Sequence, residues 1–254
     1  MENLPQLFAS NQHYLLVVLV FILAGMVKGV IGLGLPTIAI GLLSLSMPAM
    51  EAAALLIVPS LLTNIWQLGR GPQLILLLRR LSPMLLGICA GTFLSALLFH
   101  KINAAWSGLG LGLALIAYAT MGLASIHWNV PTRLETGLSS LTGTLTGMVT
   151  ATTGVFVMPS VPFLQALNLD KDSLIQAMGL SFTVSTLALA VKLASAGSLD
   201  WHVAGSSLFA LLPALLGMQL GQCLRKKLQP LLFKRCFFIG LFGLGAHYLW
   251  GASA

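Results

Sequence analysis

Charge is what this sequence has least of. Six Asp and Glu stand in 254 residues, and Asp, Glu, Lys and Arg together make up 7%, against about a quarter in a soluble domain. Such a chain cannot clothe a globule in a solvated surface. Its 57% hydrophobic content and mean hydropathy of +0.94 place it among integral membrane proteins. Cysteine is scarce too: Cys89, Cys223 and Cys236 show no CxxC spacing, so neither a disulfide framework nor a metal site is indicated. No HExxH, GxSxG or phosphate-loop pattern occurs, which leaves an enzyme without visible chemistry and implies no cofactor. The N-terminus has Glu2 but no Lys or Arg ahead of its apolar run, and no small-residue cleavage pattern, so a removed signal peptide is not expected. The net charge of +7 sits in short loops between apolar segments. That is an orientation signal, not a nucleic-acid patch.

What is present is long apolar sequence broken at Gly, Pro and charge, with segments expected near 14–32, 35–47, 51–68, 82–99, 102–125, 137–151, 155–166, 173–196, 204–222 and 231–250. Several are full spans of about 18 residues or more. Segments 35–47, 137–151 and 155–166 are shorter and read as arms of hairpins that enter the bilayer and return. The stretch Gly25-Met26-Val27-Lys28-Gly29-Val30-Ile31-Gly32-Leu33-Gly34-Leu35-Pro36 stands out among them. Gly25 and Gly29 share a helix face without side chains, which admits a close helix neighbour. Gly32, Gly34 and Pro36 then break the helix, and a new one can start at Leu35.

The halves resemble each other. Gly25-x3-Gly29 answers to Gly143-x3-Gly147, Pro83-x3-Gly87-x3-Gly91 to Pro213-x3-Gly217-x3-Gly221, and Gly32–Pro36 to Thr150–Gly154. The expectation is one all-α transmembrane domain over 1–254, with repeat one at about 14–125 and repeat two at about 137–250, each a broken helical hairpin plus three spans. If both broken elements return, the second repeat is inverted. Arg70, Arg79, Arg80, Arg133, Lys171, Arg225, Lys226, Lys227, Lys234 and Arg235 then share one side against Lys101 alone. If both cross, the basic loops split more evenly, so the positive-inside rule selects the inverted arrangement, with both termini outside the cytoplasm in a multi-pass protein of the inner membrane.

Inverted broken helices are how many secondary carriers build a site near the midplane. Lys28 supplies a full charge where a lysine costs roughly 2.5–3.5 kcal/mol to insert, which marks it as functional. Gly29, Gly32 and Gly34 of the break are candidate site residues beside it, and backbone N–H groups at the helix start near Gly34, and at a second helix start at Val155 after Gly154, add donors. Thr150, Thr152 and Thr153 offer hydroxyls, with back-bonding to their own helix as the competing role. Asn64 and Gln67 lie on one face of a span kinked at Pro59, and Ser181 and Ser185 occupy the matching region of the other half; all four can line a path or bond between helices. Arg70 and Lys192 sit at matching positions where they can steer an anion or anchor at the interface. Glu51 and Asp170 read as helix caps.

With these residues in hand, the chain resembles the TauE/SafE sulfite-exporter family. The likeness rests on Gly25-x2-Lys28-Gly29-x2-Gly32-x-Gly34-x-Pro36, on Ala52-Ala53-Ala54-Leu55-Leu56-x2-Pro59-x4-Asn64, and on Gly143-x3-Gly147 leading to Pro159. It covers about residues 15–250, and departs from the pattern where Thr150 and Thr152 replace glycines common in the family. The resemblance implies outward transport of small sulfur-containing anions such as sulfite, thiosulfate or organosulfonates. An anion channel and a non-transporting assembly partner stay open beside it; clustering of the polar residues favours a carrier. The partners expected are a small anion and the lipid bilayer, and the motifs set no oligomeric state.

Overall fold

The computed structural model describes residues 11–69, 71–98, 104–124, 128–199, 201–225 and 229–253. These form ten helices and no strand: α1 (Asn11–Ile31), α2 (Leu35–Leu43), α3 (Ala49–Leu68), α4 (Leu74–Leu98), α5 (Ala104–Ala124), α6 (Thr132–Thr153), α7 (Ser160–Gln165), α8 (Lys171–Ser195), α9 (Trp201–Arg225) and α10 (Pro230–Ser253). Six of them, α1, α3, α4, α5, α8 and α9, contain stretches long and apolar enough to cross a membrane. On α1 the exposed Leu15, Leu19 and Leu23 form a stripe at helical spacing, while Val17, Val20, Phe21 and Ala24 point inward. A belt of exposed leucines over a packed interior is what a bilayer solvent permits.

The first break forms as the glycines require. Gly32 and Gly34 have φ of 89° and 106°, left-handed values that cost an L-residue dearly. Pro36 stands in the first turn of α2, where a missing N–H is harmless. Every residue of α2 except Leu42 is buried, so this nine-residue helix lies inside the bundle. Its helical part ends at Leu43 and not at Met47.

The second break differs from expectation. Segment 137–151 is not a short arm: α6 runs 22 residues, Thr132 to Thr153, roughly 33 Å of helix, and its Thr-rich sequence hid its length. No helix starts at Val155 either. Gly154, at φ 76°, donates its N–H to Thr150 O at 2.8 Å, an αL helix stop. Residues 155–159 are then non-helical, with a cis peptide at Met158–Pro159. The chain resumes only at Ser160, for six residues. Segment 82–99 starts early, at Leu74, because Arg80 is paired across to Glu135 of α6 through Nε–Oε1 at 2.6 Å and Nη2–Oε2 at 3.0 Å, so the charges need not end the helix.

Packing follows the glycines. A methyl group added at Gly25 would strike the Ala214 carbonyl, at Gly29 that of Met218, at Gly217 that of Ile22 and at Gly221 that of Met26. Numbers rise together on both helices, so α1 and α9 run parallel in backbone contact. Gly87 and Gly91 against Ser140 and Thr144, with Gly143 and Gly147 against Met84 and Ile88, make α4 and α6 the same kind of pair. Such contacts need small residues because a bilayer gives helices no hydrophobic drive to associate. By contrast α3 and α8 run antiparallel, Ser60 beside Thr186 and Leu68 beside Gln176. So do α5 and α10, with Gly112 beside Gly245 and Gly122 beside Phe238. Each of these eight helices thus packs most closely on a partner from the other half, whereas the short α2 and α7 pack mainly within their own.

Candidate functional site: a buried lysine at a helix break

Lys28 occupies the last turn of α1 and is 5% exposed. Its ammonium donates to Asn64 Oδ1 at 2.5 Å and to Thr63 Oγ1 at 3.0 Å. An ammonium has three donors, so one remains after these two bonds. Both partners are neutral, and the ion pair among the described residues is the distant Arg80–Glu135. Lys28 also complements the negative end of the α1 dipole.

The rest of the network has one direction. Asn64 Nδ2 donates to Ser60 Oγ at 3.1 Å, Ser60 Oγ lies 3.3 Å from Thr186 Oγ1, and Thr186 donates to Phe182 O at 2.7 Å. With Thr186 spending its hydrogen there, Ser60 must donate to Thr186. This fixes Asn64 Oδ1, not Nδ2, toward Lys28. Thr63 gives its hydrogen to Pro59 O at 2.6 Å, leaving its lone pairs to Lys28. Gln67 Nε2 reaches back to Gly32 O at 2.9 Å, closing the frayed end of α1, and its Oε1 is buried without a partner among the described residues. Pro59 lies inside α3 one turn before this face. It removes the donor for Leu55 O, and Ser207 of α9 repairs the kink by donating to Leu55 O at 2.8 Å and accepting from Val58 N at 3.0 Å.

The threonines of the second break serve their own helix. Thr150 donates to Thr146 O, Thr152 to Met148 O and Thr153 to Val149 O, at 2.7, 3.0 and 2.8 Å; Thr153 also accepts Val155 N at 3.2 Å. Lys192, half-buried on α8, donates to Ala151 O, and Ser107 donates to Thr152 O at 2.8 Å. The end of α6 is therefore capped by a cation and a hydroxyl. Ser181 and Ser185 share a stripe of α8 with Lys192, and both hydroxyls are fully buried with no partner among the described residues. Thr37 Oγ1 in the first turn of α2 is in the same state. A buried polar group left unpaired costs about 1–3 kcal/mol, so each of these hydroxyls would be stabilised by a polar partner.

The breaks meet α3 at different heights. Gly154 abuts Ala53 and Ile40, whereas Lys28 bonds at Asn64. Positions 53 and 64 are eleven residues apart, roughly 16 Å along a helix. Thr150–Gly154 and Lys28 thus sit beside one helix without sharing one ligand shell in this conformation. Gly29 faces Met218 and Gly221 of α9 and is used in packing, and Gly34 lies against Phe237. Arg70 falls outside the described residues.

A family model described as sulfite exporter TauE/SafE matches residues 17–248. The chain belongs to the TauE/SafE family. This is a family of membrane transporters, not of enzymes, and a buried cation at a helix break suits that class. No curated protein and no solved structure matched the chain.

The network contains members that the sequence did not single out. Thr63 and Ser60 carry hydroxyls of a kind that in a helix ordinarily bond back to the preceding turn, so nothing in their sequence context sets them apart. Gln176, 1% exposed, accepts Gln73 N at 3.0 Å and donates to Leu68 O and Gly71 O at 2.9 and 2.7 Å, sewing the α3–α4 turn to α8. A lone glutamine in an apolar segment was its only signal.

Proposed function

We propose that this TauE/SafE protein is a secondary carrier that exports small sulfur-containing anions such as sulfite, thiosulfate or organosulfonates by alternating access. The observation that carries it is Lys28: a buried ammonium with one free donor, held by neutral partners beside a glycine break. A charge so placed needs an anion, and a tetrahedral or pyramidal oxyanion accepts from it as well as from the backbone N–H of Gly34, since the N–H of Gly32 is already given to Lys28 O at 2.8 Å. Lys28, Asn64 and Gln67 with Gly29, Gly32 and Gly34 form the station in this conformation. Thr150, Thr152, Thr153 and Gly154, with the orphan hydroxyls of Ser181 and Ser185, line the path beyond it, and Lys192 steers at its far mouth.

The two halves are read as inverted repeats. Antiparallel packing of α3 on α8 and of α5 on α10, with parallel packing of α1 on α9 and of α4 on α6, supports that reading. It puts the starts of α4, α6, α8 and α10 and the end of α9 on one face. Arg79, Arg80, Arg133, Lys171, Arg225, Lys234 and Arg235 stand there, so this face is cytoplasmic and both termini lie outside. The test is counterflow in proteoliposomes with sulfite, thiosulfate and an organosulfonate. A carrier gives saturable exchange; an ohmic, non-saturating flux supports a channel, and no flux with any of the three defeats the proposal.

A further inference from the structure

Between the end of α5, the start of α10 and the loops flanking α7 lies a cavity of about 310 Å³ that the Lys28 station does not use. Asn129, Gln165, Asn168 and Lys234 converge on it. All three amide residues are exposed, and among the described residues no protein hydrogen bond engages their side chains, so a ligand can exchange with solvent for their N–H groups. Tyr118, Trp128 and Phe238 supply aromatic walls, and the Lys234 ammonium stands 5.8 Å from the Phe238 ring centre. One cation and several amide N–H groups beside aromatic faces is a donor set for an anion with an organic body: the head takes charge-assisted bonds while the body lies on the rings. The volume fits small-molecule pockets, which begin near ~300 Å³, and is larger than a bare oxyanion fills.

The cavity is one aromatic layer from the first helix break. Tyr118 and Phe238 pack edge to face with centroids 5.2 Å apart, and Phe237 lies 5.0 Å from Phe238. The ring of Phe237 comes within 3.2 Å of where a Cβ on Gly34 would stand. Tyr118 and Phe238, which line the cavity, and Phe237, which touches Gly34, thus form a continuous chain of rings between the cavity and the first helix break.

We propose that this cavity is a peripheral binding site for a small organic sulfonate, which is captured here before it passes the Tyr118–Phe237–Phe238 layer to Lys28. The inference rests on the transport function proposed above and narrows its substrate to sulfonates that carry an organic group. The test is titration calorimetry of the full chain in lipid nanodiscs with ethanesulfonate, in the Lys28→Met background so that the deep station is weakened about ten- to a hundredfold. Binding should persist in that background. Adding Lys234→Gln should weaken it at least tenfold, and adding the exposed Gln165→Leu should weaken it several-fold, independently of any folding problem at Lys234. Loss of all ethanesulfonate binding in Lys28→Met, or wild-type affinity in both further variants, overturns the proposal. The two readings fail separately. Sulfite counterflow without ethanesulfonate binding in Lys28→Met removes the cavity and keeps the carrier; binding that responds to Lys234→Gln, in protein that moves no sulfur anion, does the reverse.

Discussion

Asn64→Asp puts the electrostatics of the site to a direct test. Asn64 Oδ1 lies 2.5 Å from Lys28 Nζ, so the substitution keeps the shape and replaces a neutral acceptor with a carboxylate. At an effective dielectric of about 20, a unit pair at that separation attracts by roughly 6–7 kcal/mol. Burying the new carboxylate costs several kcal/mol, and it must turn the bond from Nδ2 to Ser60 into an acceptor. Ser60 can donate to it by releasing Thr186, which already has Phe182 O as its acceptor. The net is a few kcal/mol in favour of an internal ion pair. A substrate anion then meets a neutralised lysine, and its affinity should fall a hundredfold or more, equivalent to roughly 3 kcal/mol, while the melting temperature holds or rises. Asn64→Leu should do the opposite to stability, because it strips an acceptor from a buried ammonium at a cost of about 1.5–3 kcal/mol. The assay is substrate titration beside a thermal melt on the same purified protein. Wild-type affinity in Asn64→Asp would refute the claim that Lys28 is the countercharge of the anion.

Other consequences follow from the packing. Gly91→Leu drives a side chain into the Thr144 backbone of α6 and should cost on the order of 1–3 kcal/mol or more in stability, read as lost folded yield; full yield with a normal melt contradicts the clasp. Asp170 Oδ1 accepts from Asp172 N and Ser173 N at 3.1 and 2.9 Å at the start of α8, so Asp170→Ala should cost about 1 kcal/mol in a melt, and no change would show the cap to be idle. Ser253→Cys, with Cys89, Cys223 and Cys236 replaced by Ala, should be labelled by an impermeant thiol reagent from outside; labelling from the cytoplasmic side alone contradicts the inverted arrangement.

Much of this was legible in the sequence, for physical reasons that also explain what was not. Lys28 is conspicuous because charge is so rare in apolar sequence, and the glycines around it announce a break because only glycine tolerates φ near 90–100°. Glycine spacing likewise marks close-packed faces. Yet sequence comparison aligns Gly25 with Gly143, while packing sets Gly25 on α9 and Gly143 on α4; repeats match like with like and helices do not. The Lys28–Asn64 bond joins residues 36 apart, which no periodicity encodes. Val155 was misread as a helix start since apolar residues after a glycine suggest one. Pro159, which stands just before α7 (Ser160–Gln165), was the signal against a helix from Val155. The hydroxyls of Thr150, Thr152 and Thr153 looked like ligand donors, and their carbonyl partners one turn back were equally close in sequence; composition alone does not choose between the two.

The central claim is that one buried lysine makes this fold an anion carrier. Its most direct test is sulfite or organosulfonate counterflow by Lys28→Met and wild type, reconstituted at equal folded density. The methionine keeps the length and removes the charge. Loss of a charge-assisted bond, worth roughly 1.5–3 kcal/mol, should raise the half-saturating concentration about ten- to a hundredfold or more, with Lys28→Arg partly restoring it. Equal half-saturation in Lys28→Met and wild type would contradict the account.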